Sequence, residues 1–224
     1  MTDFVGLIHL ATFAIAAIGT IDQINLIWKS KAENQSGKGL NTASLSVKYR
    51  GNTILLLLCT ILWGLSLEPI DWLVIVTRGV TLIGFILILL ELWHDRRDRE
   101  SQYWFFSCIS LIIIGTLVVL FGWDTLKNSS GIFGTLTIIL CFNLLLGLWD
   151  KLCNIIRDRS PGQQSLLEMV CQLSKELSGT GYGLLVGFDK MWPMVFAMCS
   201  IGIVRIFNVV LYLYYSKKKI IVRF

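Results

Sequence analysis

Long, nearly unbroken apolar runs dominate this chain. Examples are ILLLLCTILWGL at 54–65, LIGFILILL at 82–90 and FFSCISLIIIGTLVVLFG at 105–122. A helix needs about 20 such residues to cross a bilayer. In hydrocarbon its backbone groups must be satisfied within the segment, so these runs predict helices. Seven spans are expected: about 4–28, 44–66, 69–94, 102–122, 131–157, 164–186 and 191–216. A composition 54% hydrophobic agrees with an all-α membrane protein. The opening MTDFVGLIHL has no positive n-region and no small-residue cleavage site, so no cleaved signal peptide is expected. The six cysteines show no C-x-x-C spacing and read as apolar packing residues.

Charge tests the topology. Of the 20 Lys and Arg, 15 follow spans 1, 3, 5 and 7, from Lys29 and Lys31 through Arg96, Arg97, Arg157 and Arg159 to Lys217, Lys218, Lys219 and Arg223. Lys127 and Lys190 alone lie on the other side, and Arg78, Lys175 and Arg205 lie inside spans. Cytoplasmic loops collect Lys and Arg, so the N-terminus is expected outside and the C-terminus in the cytoplasm. Because the basic residues flank spans, no nucleic-acid partner is expected.

The chain also repeats itself. GTIDQINLIWKSK at 19–31 returns as GLWDKLCNIIRDR at 147–159, with Gly19/Gly147, Asp22/Asp150 and Ile27/Ile155 identical. Ser46 to Gly64 then corresponds to Ser165 to Gly183, and each copy enters its third span through an acid-and-Pro turn, EPIDW or DKMWP. Spans 1–3 and 5–7 therefore read as two copies. A unit with an odd number of spans inserts upside down when duplicated, so one inverting span between the copies restores a common direction. Span 4 is apolar all round, which suits such a linker. The expected division is a first triple-helix repeat at 1–100, a linker helix at 101–130, and a second repeat with a basic cytoplasmic tail at 131–224. The two bundles would run parallel, about an axis along the membrane normal.

This 3+1+3 layout resembles the SWEET / PQ-loop family. The resemblance is carried by DQINLIWKSK, GLNTASLS and LWG in the first half and by DKLCNIIRDRS, SLL, GYG and LYLYYSKKK in the second. It implies a transporter that moves small solutes, chiefly sugars, by alternating access. Two departures stand out. The family's Pro-Gln pair is here Asp22-Gln23 and Asp150-Lys151, and Met198 occupies the place of a substrate-contacting Asn.

Charges inside the spans narrow the chemistry. A centred Arg costs upward of about 3 kcal/mol, so Arg78 and Arg205 should face a partner or a wet cavity. Glu168, Gln172, Lys175 and Glu176 share one face of span 6. Glu176 and Arg205 lie at matching depth, roughly 17–18 Å above the inner ends of their spans, and are expected to pair. The first half lacks such acids, so the pocket should be asymmetric. Thr77, Arg78, Glu176, Met198, Arg205 and Asn208 are the expected solute-binding residues, with Asp22 and Asp150 as gates at the inner mouth. Trp63, Trp72, Trp93, Trp104, Trp123 and Trp192 read as interfacial belts. Trp28 and Trp149, inside the repeated motif, are the candidates to cap the cavity instead.

His9 and His94 are the only histidines and neither has metal-ligand spacing. There is no Gly-rich phosphate loop, so no cofactor, metal or enzyme activity is expected. The expected function is small-solute transport within the lipid bilayer, the solute being charged or zwitterionic, or a sugar. The alternative is a non-transporting membrane sensor or interaction subunit that keeps the fold. A homo-oligomer or a membrane partner protein is compatible with either. The topology yields a direct test. A thiol introduced by Gln35→Cys should react with an impermeant reagent only from the cytoplasmic side, and labelling from outside would overturn the span assignment.

Overall fold

The computed structural model describes residues 2–35, 45–159 and 164–221. Lys38, residues 39–44 of the GLNTASLS motif, and Arg223 lie outside the described residues. The chain forms α1 (Thr2–Gln35), α2 (Val47–Ser66), α3 (Trp72–Arg96), α4 (Arg99–Phe121), the one-turn α5 (Trp123–Lys127), α6 (Ser130–Asp158) and α7 (Leu166–Ile221).

Short polar residues cap the starts of α2, α3, α4 and α7, because the first N–H groups of a helix lack intrahelical acceptors. Ser46 Oγ accepts from the Tyr49 N–H at 3.1 Å, and Ser165 Oγ from the Glu168 N–H at 2.9 Å. Asp71 caps α3 through the Val74 N–H at 3.0 Å. Asp98 caps α4 through the Ser101 N–H at 2.7 Å. Hydrogen bonds from Ser101 hold the Asp98 carboxyl below the usual carboxylate range. The turn between α3 and α4 is tight because Arg97 is left-handed, with φ 51°.

The expected spans and the observed helices do not correspond one to one. Spans 6 and 7 are the two arms of α7, which breaks at Gly187, where φ is 132°. The arms fold back on each other: a Cβ on Gly183 would lie 2.5 Å from Val195, and one on Gly179 3.4 Å from Met198. A positive φ of this size is a glycine conformation, so one residue reverses the chain. Among the described residues, five helices are long and apolar enough to cross a membrane, the double-length α7 among them. α2 is not one of these five; its first two turns carry Lys48, Arg50 and Asn52.

α3 packs on both α1 and α2, α1 also packs on α7, and α6 packs on α2 and α7. α4 lies against α2 and α3 and buries only Ser101, Cys108 and Gly115, a narrow stripe at seven-residue spacing. Trp104, Phe105 and Ile112 pack partly against the core of α2 and α3, while Phe106, Ile113, Ile114, Leu117, Leu120 and Phe121 face outward, as a lipid-facing helix requires. One end of the molecule gathers Lys31 against Glu91 (2.6 Å) and Arg96 against the Leu45 carbonyl. The other end gathers Glu68 near Lys127 (3.9 Å) and Tyr182 on Asp71 (3.3 Å). We call these the basic and acidic ends.

The repeated glycines are not equivalent. A Cβ on Gly19 would fall 2.9 Å from both Cys171 Cβ and Glu168 Cα, so α1 crosses α7 in near-backbone contact there. A Cβ on Gly147 would meet nothing within 4 Å. Gly19→Ala should therefore destabilise by about 1–3 kcal/mol through overpacking. Gly147→Ala should be neutral or stabilise by up to about 1 kcal/mol through helix propensity. Thermal unfolding in detergent compares the two, and equal shifts would contradict the asymmetric crossing.

Candidate functional site

A column of buried polar side chains runs between the helices from the basic end toward the acidic end. At its base, Ser165 Oγ donates to Asp22 Oδ2 at 2.5 Å while Gln23 Oε1 accepts the Ser165 N–H at 3.0 Å. These contacts tie α1 to the start of α7. One turn further, the Arg50 guanidinium of α2 grips the Glu168 carboxylate of α7 with both terminal nitrogens, Nη2 to Oε2 at 2.9 Å. Arg50 also lies over the rings of Phe85 (5.2 Å) and Tyr49 (5.4 Å), and the Lys151 ammonium lies 5.4 Å from the centre of the Tyr49 ring. Both members of the Arg50–Glu168 pair are buried. A two-pronged, buried pair of this kind is stable only because geometry and hydrogen bonding offset desolvation.

The next level holds the expected pair. Arg205 Nη2 lies 2.9 Å from Glu176 Oε1 and donates to Tyr49 Oη at 3.1 Å. The four residues assigned to one face of span 6, Glu168, Gln172, Lys175 and Glu176, are all buried. Above the pair is a cavity of about 30 Å³, enough for about one or two waters. Thr53, Leu56 and Thr60 of α2, Arg78 of α3, Thr137 and Leu144 of α6, and Gln172, Lys175, Glu176, Met194, Met198 and Arg205 of α7 are among its walls. Beyond it, His9 Nδ1 bonds Ser178 Oγ at 3.0 Å and its ring stacks on Tyr182, which reaches Asp71.

Of the six expected solute-binding residues, Arg78, Glu176, Met198 and Arg205 line the cavity. Thr77 stands behind them, accepting from Arg78 Nη1 at 3.2 Å. Asn208 is buried one turn toward the basic end and donates to the Val204 carbonyl at 3.1 Å. The two expected gates occupy different settings. Asp22 is in the α1–α7 junction, whereas Asp150 is exposed on α6. Among the described residues no bond joins Asp150 to Ser46, the counterpart of Ser165. Trp28 and Trp149 are 54% and 61% exposed, so they face outward and do not cap the cavity. Trp63 is buried with Met191, Met194 and Val195 and is a core residue, not part of a belt.

Sequence reasoning missed Arg50, Tyr49 and Lys151, which it counted with flanking charge or passed over. The signal was in the duplicated caps. Ser46-x-x-Tyr49 and Ser165-x-x-Glu168 place Tyr49 and Glu168 at equivalent sites, three residues into α2 and α7. Arg50 follows directly and faces the only acid at that level of span 6.

No protein-family model and no curated protein matches the chain. Its architecture is similar to the 3.7 Å structure of a eukaryotic SWEET transporter, with a TM-score of 0.61 over 96% of this chain and 99% of that one. Sequence identity is 14%, so the likeness is one of fold. The chain is thus a helical membrane protein with the fold of a SWEET transporter.

Glu176 and Arg205 invite a mutant cycle. Glu176→Gln or Arg205→Met alone should each cost about 3–5 kcal/mol, since each strands a buried charge. The double variant should recover much of that loss. Simple addition of the two losses in thermal unfolding would mean that the pair is not coupled.

Proposed function

We propose that this chain is a small-solute transporter of the SWEET / PQ-loop type that works by alternating access. In this reading residues 1–100 and 131–224 are parallel triple-helix repeats joined by 101–130, with the N-terminus outside and the C-terminus cytoplasmic. The packing of α3 between α1 and α2, and the lightly held α4, support the 3+1+3 arrangement. The observation that carries the proposal is the charged cavity lined from both halves: α2 and α3 on one side, α6 and α7 on the other. A solute site at a repeat interface, deep in the bilayer, is where rocking of two bundles gives access to each side in turn. Arg78, Glu176, Met198 and Arg205 contact the solute, and Thr77 and Asn208 support them. Arg50–Glu168 and Asp22–Ser165 close the basic mouth, because each bridges a helix of the first half to α7.

The second reading, a non-transporting sensor that kept the fold, is favoured by the small size of the cavity and by its bridged floor. Counterflow in proteoliposomes separates the two. Transport predicts saturable exchange of at least one of glucose, alanine and lactate, above protein-free vesicles. Flux equal to the protein-free control for all three would favour the sensor.

A further inference from the structure

We propose that the cavity binds its solute as an oxyanion, through a carboxylate or phosphate group seated on Arg78 and Lys175. The inference deepens the transport reading by naming the solute class, and it relies on that reading only for what binding is for.

The cavity walls carry three cations and one acid: Arg78, Lys175 and Arg205 against Glu176. Glu176 is taken up by Arg205, which also holds Tyr49. Among the described residues, neither Arg78 nor Lys175 has an ion-pair partner. Arg78 is 0% exposed. Its Nη1 donates to Thr77 and its Cζ lies 4.5 Å from the centre of the Phe13 ring, but Nε and Nη2 have no partner among the described residues. The Lys175 ammonium sits 5.5 Å from the same ring. Two like charges therefore converge on one aromatic ring. An arginine cannot shed its proton to relieve this, and its planar fork matches the two oxygens of a carboxylate or phosphate. A buried cation with unmet donors is expensive unless an anion meets it.

The neutral groups point the same way. Thr53, Thr60 and Thr137 spend their hydroxyl protons on carbonyls of their own helices, at 2.9, 2.7 and 2.8 Å. What the site has in excess is positively charged donors, so the solute must bring negative acceptors. Of the carboxylate and amide oxygens on the cavity wall, Glu176 Oε2 and Gln172 Oε1 have no partner among the described residues. They suit a hydroxyl on the same solute and make lactate a natural first probe. An uncharged sugar would leave both cations unmatched.

The test is thermal unfolding of the purified full chain in detergent with lactate, inorganic phosphate or glucose, against chloride at matched ionic strength. Lactate or phosphate should raise Tm saturably and glucose should not. Arg78→Gln should weaken the anion's affinity by about tenfold or more. Its own Tm without anion should be unchanged or higher, since the change removes an unmatched buried charge. If that variant does not fold, Lys175→Gln must weaken the same binding. The proposal fails if neither anion exceeds chloride, or if anions stabilise the parent and both variants alike. Stabilisation by glucose alone overturns the oxyanion while leaving transport in place. Saturable anion binding with no flux in vesicles keeps the oxyanion site and removes the transport reading.

Discussion

An unmatched charge inside a hydrocarbon layer is costly, and this constraint organises the contacts of α7. Arg50 and Arg205 would each be untenable alone, and each finds an acid on the first arm of α7. These two pairs set the rotation of that arm, because Glu168 and Glu176 lie two turns apart on one face. Gln172 and Lys175 are carried inward with them. The polar column is thus a consequence of charge matching more than of apolar packing. Apolar burial alone would not distinguish this face from its neighbours, since lipid receives Leu and Ile as readily as the core does.

Much of the fold was legible because its signals are physical and local. The apolar runs give the helices, and the paired segments that open at Ser46 and Ser165 mark where α2 and α7 begin. The Glu176–Arg205 pair was also legible, since rise per residue fixes depth and insertion cost demands a partner. Depth arithmetic could not find Arg50–Glu168. Arg50 sits close enough to the helix end to pass as an interfacial charge, and only the packing of α2 against the start of α7 shows that it is sealed in. The tryptophans failed for a related reason. Height in the membrane can be read from sequence, but the direction in which an indole points cannot, so Trp63 turns inward while Trp28 and Trp149 turn outward.

The repeated motif shows how far duplicated sequence can part in use. In the first copy Gly19 admits α7 to near-backbone contact, and Asp22 and Gln23 then reach Ser165. In the second copy Gly147 is unopposed and Asp150 exposed, while Ile155 stays buried as Ile27 does. Sequence similarity between the halves preserves helix starts and lengths. Contact chemistry has gone to one side.

The single-residue break at Gly187 has a mechanical consequence. The two arms of α7 are joined at the acidic end by one residue and clasped partway down by Glu176 and Arg205. A hairpin held at its tip and again along its length is a stiff lever. It can tilt as a unit but cannot spread without breaking a buried ion pair. Where motion of α7 widens the cavity, the hairpin therefore pivots as one body against α1 and α2. The strain of that motion falls on the seams at Asp22–Ser165 and Arg50–Glu168, the longest moment arm from the tip.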